Sequence, residues 1–244
     1  MKNNQTFVKY RHDYQEKVEV PMHSHNHGQL IFVSKGTLRL TTPRGAWVVP
    51  QRKIVWIPPN QRHSILCKGL LSSWKIVTPQ SYRKFLPPGI SVLQTSDLLL
   101  AALESIPENK KMISPAKLRL LIELIKEELQ SAKSESFGVT LPKSSRFGPL
   151  TDVLLKNPED PRTIDQWSKT VGMSRRTFTR SFIAETGASF AEWKKTLIFG
   201  KALQLLSEGH SVDETADELG YSGSSAFVAA FKKKFRTTPG QFFS

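Results

Sequence analysis

The sequence predicts an α+β chain of several domains: an N-terminal β-barrel, a helical connector and a C-terminal all-α domain with two helix-turn-helix units. Three observations predict it. Short apolar runs separated by turn signals fill the first ninety residues. The apolar period changes from two to about 3.6 near Ser96. A pattern of two short helices around a glycine then occurs twice, about 48 residues apart.

The barrel reading starts from Leu38 and Leu40, which alternate with Thr37, Arg39 and Thr41. Residues 46–49, 54–57 and 65–67 add compact strands, separated by Ser34-Lys35-Gly36, Pro43-Arg44-Gly45 and Pro58-Pro59-Asn60. Expected bounds are 1–95 for the barrel and 96–132 for the connector. In the connector Leu118, Leu121, Ile122, Ile125 and Leu129 form one helical stripe. That stripe suits either a dimer surface or packing against the barrel. Pro115 sits where a helix start tolerates it. Residues 133–145, rich in Ser, Lys and Gly, read as a linker, and 146–244 as the helical domain.

Thr163 and Gln166 have capping-box spacing at the start of the first repeated unit. Ile164, Trp167 and Val171 share one face, Gly172 breaks the helix, Ser174 is a cap for the next, and Phe178 and Phe182 lie on its buried side. The second unit repeats the order with Ser211 and Glu214, Val212, Ala216 and Leu219, Gly220, Ser222 as cap, and Phe227 and Phe231 one residue further from the glycine. Between them Ser189 and Glu192 cap a helix that ends near Gly209. One such unit fits a plain helical bundle equally well; two in matched order favour paired recognition helices.

Bulk properties narrow the partners. The 244 residues carry a formal charge of +14, which favours polyanions. Residues 1–132 hold +10 of it and 133–244 only +4, so charge alone would place a DNA site in the wrong half. No carboxylate side chain occurs between Val20 and Ser96. One cysteine, Cys67, excludes an intrachain disulfide, and it reads as a small core residue. Without an apolar run of bilayer length or a signal-like start, a cytoplasmic location is expected.

Gly220-Tyr221-Ser222, Ser225-Ala226-Phe227, Phe231-Lys232-Lys233 and Thr238-Pro239 resemble the signature of the AraC/XylS transcription regulators. The likeness covers the last hundred residues. Two positions depart from it: Arg236 stands where the family usually has Gly, and Ala229 where many members have Arg. On the first recognition helix the polar positions are Arg175, Arg176, Thr179 and Arg180; the resemblance assigns base contacts to the last three. Arginine can read guanine bidentately. The corresponding second-helix positions are Ser224, Ser225, Val228 and Ala229, with Lys232 and Lys233 suited to phosphate contact. A solvated helix face is the alternative for each set.

In the N-terminal half, His23, His25, Gln29 and Gly36, then Pro58 and His63, resemble the two cupin motifs, with Gln29 replacing the usual Glu. In metal-binding cupins these positions hold a divalent ion. Gln is a poorer ligand, so His23, His25 and His63 read first as ligand-contacting or structural groups, with a divalent metal as the alternative and no cofactor required. His23, His25, Gln29, Arg39 and His63 are the candidate effector residues, and Arg44, Arg52 and Arg62 add positive charge suited to an acid-bearing effector.

The function these features imply is non-enzymatic, effector-modulated control of transcription by a homodimer bound to an operator, meeting RNA polymerase if it activates. The rivals are a metal-dependent cupin enzyme fused to a DNA-targeting tail, and a constitutive DNA binder whose barrel only dimerises.

Overall fold

The computed structural model describes residues 8–78, 80–108 and 112–243. Its strands are β1 (Val8–Tyr14), β2 (Val18–His23), β3 (Gly28–Lys35), β4 (Thr37–Thr42), β5 (Gly45–Pro50) and β6 (Lys53–Ile57). They continue with β7 (His63–Cys67), β8 (Leu71–Thr78), β9 (Ser91–Leu93), β10 (Ser134–Glu135) and β11 (Gly138–Thr140). Instead of one closed barrel they make two sheets, in the orders β1-β8-β3-β6-β9-β10 and β11-β5-β4-β7-β2. The expected strands at 38–40, 46–49, 54–57 and 65–67 are all present.

Two compact units result. The first holds the chain up to Thr42 and Val49–Ser136; the second holds Pro43–Val48 and Phe137–Ser244. Residues 133–145 therefore do not run as a structureless linker. They contribute β10, paired with β9, and β11, paired with β5. Their polar composition gave no hint of this, because a two- or three-residue strand depends on the neighbour that pairs with it rather than on its own periodicity.

The first unit is built on β3, whose residues 29–33 are buried throughout. Leu30, Phe32, Ile54, Trp56, Ile76 and Leu93 form its core. Each such burial stabilises by roughly 1.5–3 kcal/mol. Two helices close it. In α1 (Asp97–Glu104) the Ser96 side chain accepts from Leu99 N at 2.9 Å; in α2 (Pro115–Ser131) Ser114 caps and Pro115 takes the first position. The apolar stripe of α2 packs on this core: Ile125 and Leu129 are buried, with Leu118, Leu121 and Ile122 partly so. The sheet is thus the surface that covers it. Cys67 is buried, its thiol donating to the Gly69 carbonyl.

The second unit contains α3 (Gly148–Leu154), α4 (Ile164–Thr170), α5 (Arg175–Thr186), α6 (Phe190–Ser207), α7 (Val212–Glu218), α8 (Ser224–Phe235) and α9 (Pro239–Phe243). All three expected capping boxes form, at Thr163, Ser189 and Ser211. Gly172 and Gly220 have φ of +66° and +73°, the left-handed conformation the tight turns require. Ser174 caps α5 as expected. Ser222 does not cap α8: the N-cap is Gly223, without a side-chain hydrogen bond. The extra residue between the glycine and the Phe pair moves the cap position along by one.

Helix α8 ends on Arg236, whose φ of +63° makes it a left-handed cap without glycine. That conformation costs a non-glycine residue roughly 1–2 kcal/mol, partly offset by the chain entropy a glycine adds on unfolding. Arg236→Gly is expected to stabilise the helical unit by about 1 kcal/mol, read as a higher urea midpoint at unchanged slope.

Candidate functional site

Helices α4 and α5 are one helix-turn-helix, and α7 and α8 are the other. Each rests on aromatic packing. Phe178 and Phe182 on α5 are fully buried beside Phe147, Trp167, Phe190 and Trp193. Phe227 and Phe231 on α8 are equally buried, with Phe231 ringed by Phe199, Phe235 and Phe242. With these positions inward, the opposite faces are left to solvent.

On α5 that face carries Arg175, Arg176 and Arg180, all exposed, and the half-buried Thr179. Arg175 is tied elsewhere: its guanidinium meets Asp165 on α4 at 2.9 Å. Nothing in the sequence marked Asp165 as its partner, since ten residues separate them. Arg176 and Arg180 have no ion pair among the described residues, and with Thr179 they make an i, i+3, i+4 stripe. On α8, Ser225 and Ala229 are exposed and Ser224 and Val228 half-buried, while Lys232 and Lys233 extend from the last turn.

The spacer between the two units is α6. Its 18 residues span about 27 Å, comparable with the ~34 Å turn of B-DNA. Lys201 on α6 bridges Glu159 and Glu218, each at 3.0 Å, so the rod is clamped to the approach to α4 and to α7. Burial works against the Lys201 charge, but the two carboxylates outweigh it and raise its pKa. Glu185 of α5 accepts the backbone N–H groups of Lys143 and Ser144, a tie that sequence could not show.

The second feature is the histidine cluster. A register shift in the β2–β7 pairing, between Val20 and His23, sets His23 directly opposite His63. The ring centroids of this pair are 4.3 Å apart, and His25, on the turn into β3, lies 5.1 Å from His63. One ring nitrogen from each of the three falls within 4.8 Å of the others. His63 is fully buried, His25 half-buried and His23 the most open. Each Nδ1 meets a backbone carbonyl two residues away: Pro21 for His23 at 2.8 Å, His27 for His25 at 2.6 Å and Gln61 for His63 at 2.8 Å.

A carbonyl can only accept, so every Nδ1 carries a proton, and in a neutral ring so held the Nε2 presents a lone pair. The buried Nε2 atoms of His25 and His63 have no hydrogen-bond partner. Burial pushes the His63 pKa down, the Gln61 carbonyl opposes this, and the nearby His23 and His25 rings add to the lowering, leaving it at about 4. Burial lowers that of His25 as well, opposed by the His27 carbonyl and the Gln29 side chain. Both rings are therefore neutral at pH 7. This set of oriented, neutral, unpartnered nitrogens has the donor chemistry a divalent ion takes.

Of the other expected effector residues, Gln29 is buried on β3 and near enough to His25 to act on its protonation. Arg39 is not part of the cluster. It pairs with Leu66, three residues along β7 from His63 and so of opposite parity, and it points from the opposite face of the sheet. Arg44 and Arg62 are exposed, and Arg52 pairs with Asp97 at 2.9 Å. No helix among the described residues is long and apolar enough to cross a membrane.

Comparison with known proteins agrees with both halves. Residues 6–136 match the AraC-like ligand binding domain family, and residues 167–244 match a helix-turn-helix domain family. The HTH-type transcriptional regulator NimR of Escherichia coli is 27% identical over 234 residues, spanning 93% of this chain and 83% of that protein. RipA of Corynebacterium glutamicum, also an HTH-type transcriptional regulator, is 30% identical over 102 residues, covering 42% of this chain and 31% of its own length. The structure of ToxT from Vibrio cholerae aligns over 97% of each chain at 12% identity and a TM-score of 0.40. With over half its length in the ligand-binding family and its last 78 residues in the helix-turn-helix family, the chain belongs to the AraC family of DNA-binding transcription regulators.

Proposed function

We propose that the chain regulates transcription by reading an operator with α5 and α8, and that a small molecule held by the first unit modulates this binding. The observation that carries it is the outer face of α5, where Arg176, Thr179 and Arg180 stand in one stripe with neither arginine ion-paired among the described residues. Base-reading side chains need that freedom, because an arginine already paired with a carboxylate must break that pair first. Arg175, held by Asp165, serves as a helix-to-helix strut.

The α8 residues Ser224, Ser225, Val228 and Ala229 offer short polar and apolar contacts, and Lys232 and Lys233 offer phosphate contacts. The protein works in the cytoplasm as a homodimer without catalysis, and contacts RNA polymerase where it activates. The names of its relatives, all transcription regulators, support regulation over a fused cupin enzyme. The effector is acid-bearing, in keeping with a first unit that has no carboxylate side chain from Val20 to Ser96.

The test uses the whole chain, because Pro43–Val48 cluster with the helical unit and Ala46 is part of its core. Selection from a randomised DNA pool should return a defined sequence bound with a steep salt dependence. A screen of small carboxylic acids by thermal shift should find one that changes operator affinity. Binding to all sequences alike would remove the operator reading, and operator binding indifferent to every ligand that shifts melting would leave a constitutive DNA binder.

A further inference from the structure

The inward-facing ring nitrogens of the first unit create a specific chemical demand. One ring nitrogen from each of the three histidines converges within 4.8 Å of the others, and the buried Nε2 atoms of His25 and His63 have no hydrogen-bond partner. Leaving buried acceptors of this kind unpartnered is unfavourable. An anion cannot satisfy them, because lone pairs repel it. A proton donor or a cation can. The backbone has already selected the tautomer, since each Nδ1–H is spent on a carbonyl. That pairing of a ring N–H with a backbone carbonyl is how proteins orient imidazoles towards a metal.

The set is also unusual in what it lacks. No carboxylate side chain occurs from Val20 to Ser96, and the position beside His25 is Gln29, which is neutral. Imidazole nitrogens suit zinc, nickel, cobalt and copper ions, whereas manganese and magnesium rely on carboxylate oxygen. A site of three imidazoles and no carboxylate therefore discriminates by ligand type.

We propose that His23, His25 and His63 bind one late first-row divalent cation through Nε2, in a site that rejects manganese and magnesium because Gln29 supplies no charge. Three protein ligands leave coordination open to water or to an anion from solution. The proposal stands apart from operator reading, because occupancy is measured on the free protein.

The experiment is titration of the full chain, purified without a metal column and stripped by a chelator, with Co2+ and Zn2+. One equivalent should bind, Co2+ should give visible absorption bands, and Zn2+ should abolish them. Excess Mn2+ should leave the bands unchanged. His23→Gln and His25→Gln alter the less buried rings, so folding is retained and checked by circular dichroism. Each should weaken binding by at least ~100-fold. Gln29→Glu should let Mn2+ compete. Wild-type protein that binds less than one equivalent, or folded His23→Gln and His25→Gln variants with unchanged affinity, would overturn the site. Displacement of Co2+ by Mn2+ in the wild type, or a Gln29→Glu variant that still excludes Mn2+, would overturn the selectivity.

Discussion

Phe182→Ala should destabilise the helical unit by ~3–5 kcal/mol and remove operator binding with it. Phe182 is fully buried. Its ring lies 5.4 Å from Phe147, 5.6 Å from Phe178 and from Phe190, and 5.5 Å from Trp193. Three of these contacts are edge-to-face, and the fourth, with Phe178, is stacked. Truncation removes the transfer energy of a large ring and leaves a cavity that four rigid rings cannot collapse into. Domains are commonly stable by only ~5–15 kcal/mol, so the loss is a large share of the whole. Because Phe182 and Arg180 lie on one helix, the variant should lose affinity for specific and non-specific DNA alike. Urea unfolding followed by circular dichroism, with a parallel binding assay, checks it. A near-normal midpoint would show that the aromatic cluster is not what positions α5.

The second large effect is on specificity. Arg176→Ala and Arg180→Ala should each cost ~1–3 kcal/mol of operator affinity, about 5- to 150-fold, and relax the preference at particular base pairs. Both variants should keep wild-type melting, since these side chains are exposed and outside the aromatic core. The half-site under α5 should be sharply defined and contain G. The half-site under α8 should be looser, because Ala229 and Val228 offer only apolar contact and Ser225 one hydroxyl that several bases satisfy. Lys233→Ala provides the contrast: it should weaken all sequences about equally and flatten the logarithmic salt dependence by about 0.9. Arg175→Ala should act mainly through stability, because it removes the pair with Asp165. Selection from randomised DNA with each variant separates these outcomes. A second half-site as strict as the first would overturn the division of labour and point to DNA shape as the discriminator.

The helical half was legible because its signals are local. A capping box is decided by residues three apart, and Thr163, Ser189 and Ser211 all cap as their sequences indicate. A left-handed turn is decided by one glycine, and Arg236 was marked as the exception by standing where glycine is usual. Even here one residue of spacing was enough to move the α8 cap from Ser222 to Gly223. The strands at 38–40, 46–49, 54–57 and 65–67 were legible for the same reason, because alternation and turn residues are read within six or eight positions.

By itself, then, the sequence determined two domains of different class, the paired helix-turn-helix units and the identity of three candidate histidines. Tertiary structure decided what those residues face. It closed two sheets in place of a barrel, drew 43–48 into the helical unit, and turned part of an apparent linker into β10 and β11. It put Arg39 on the far side of the sheet from His63, gave Arg175 to Asp165, and packed the α2 stripe on the sheet core. Above all it chose the tautomer of each histidine, through the carbonyls of Pro21, His27 and Gln61. The physical reason is common to all of these. Strand partners, register and the aim of a carbonyl depend on segments far apart in the chain or on the exact path of the backbone, and residue type carries little information about either.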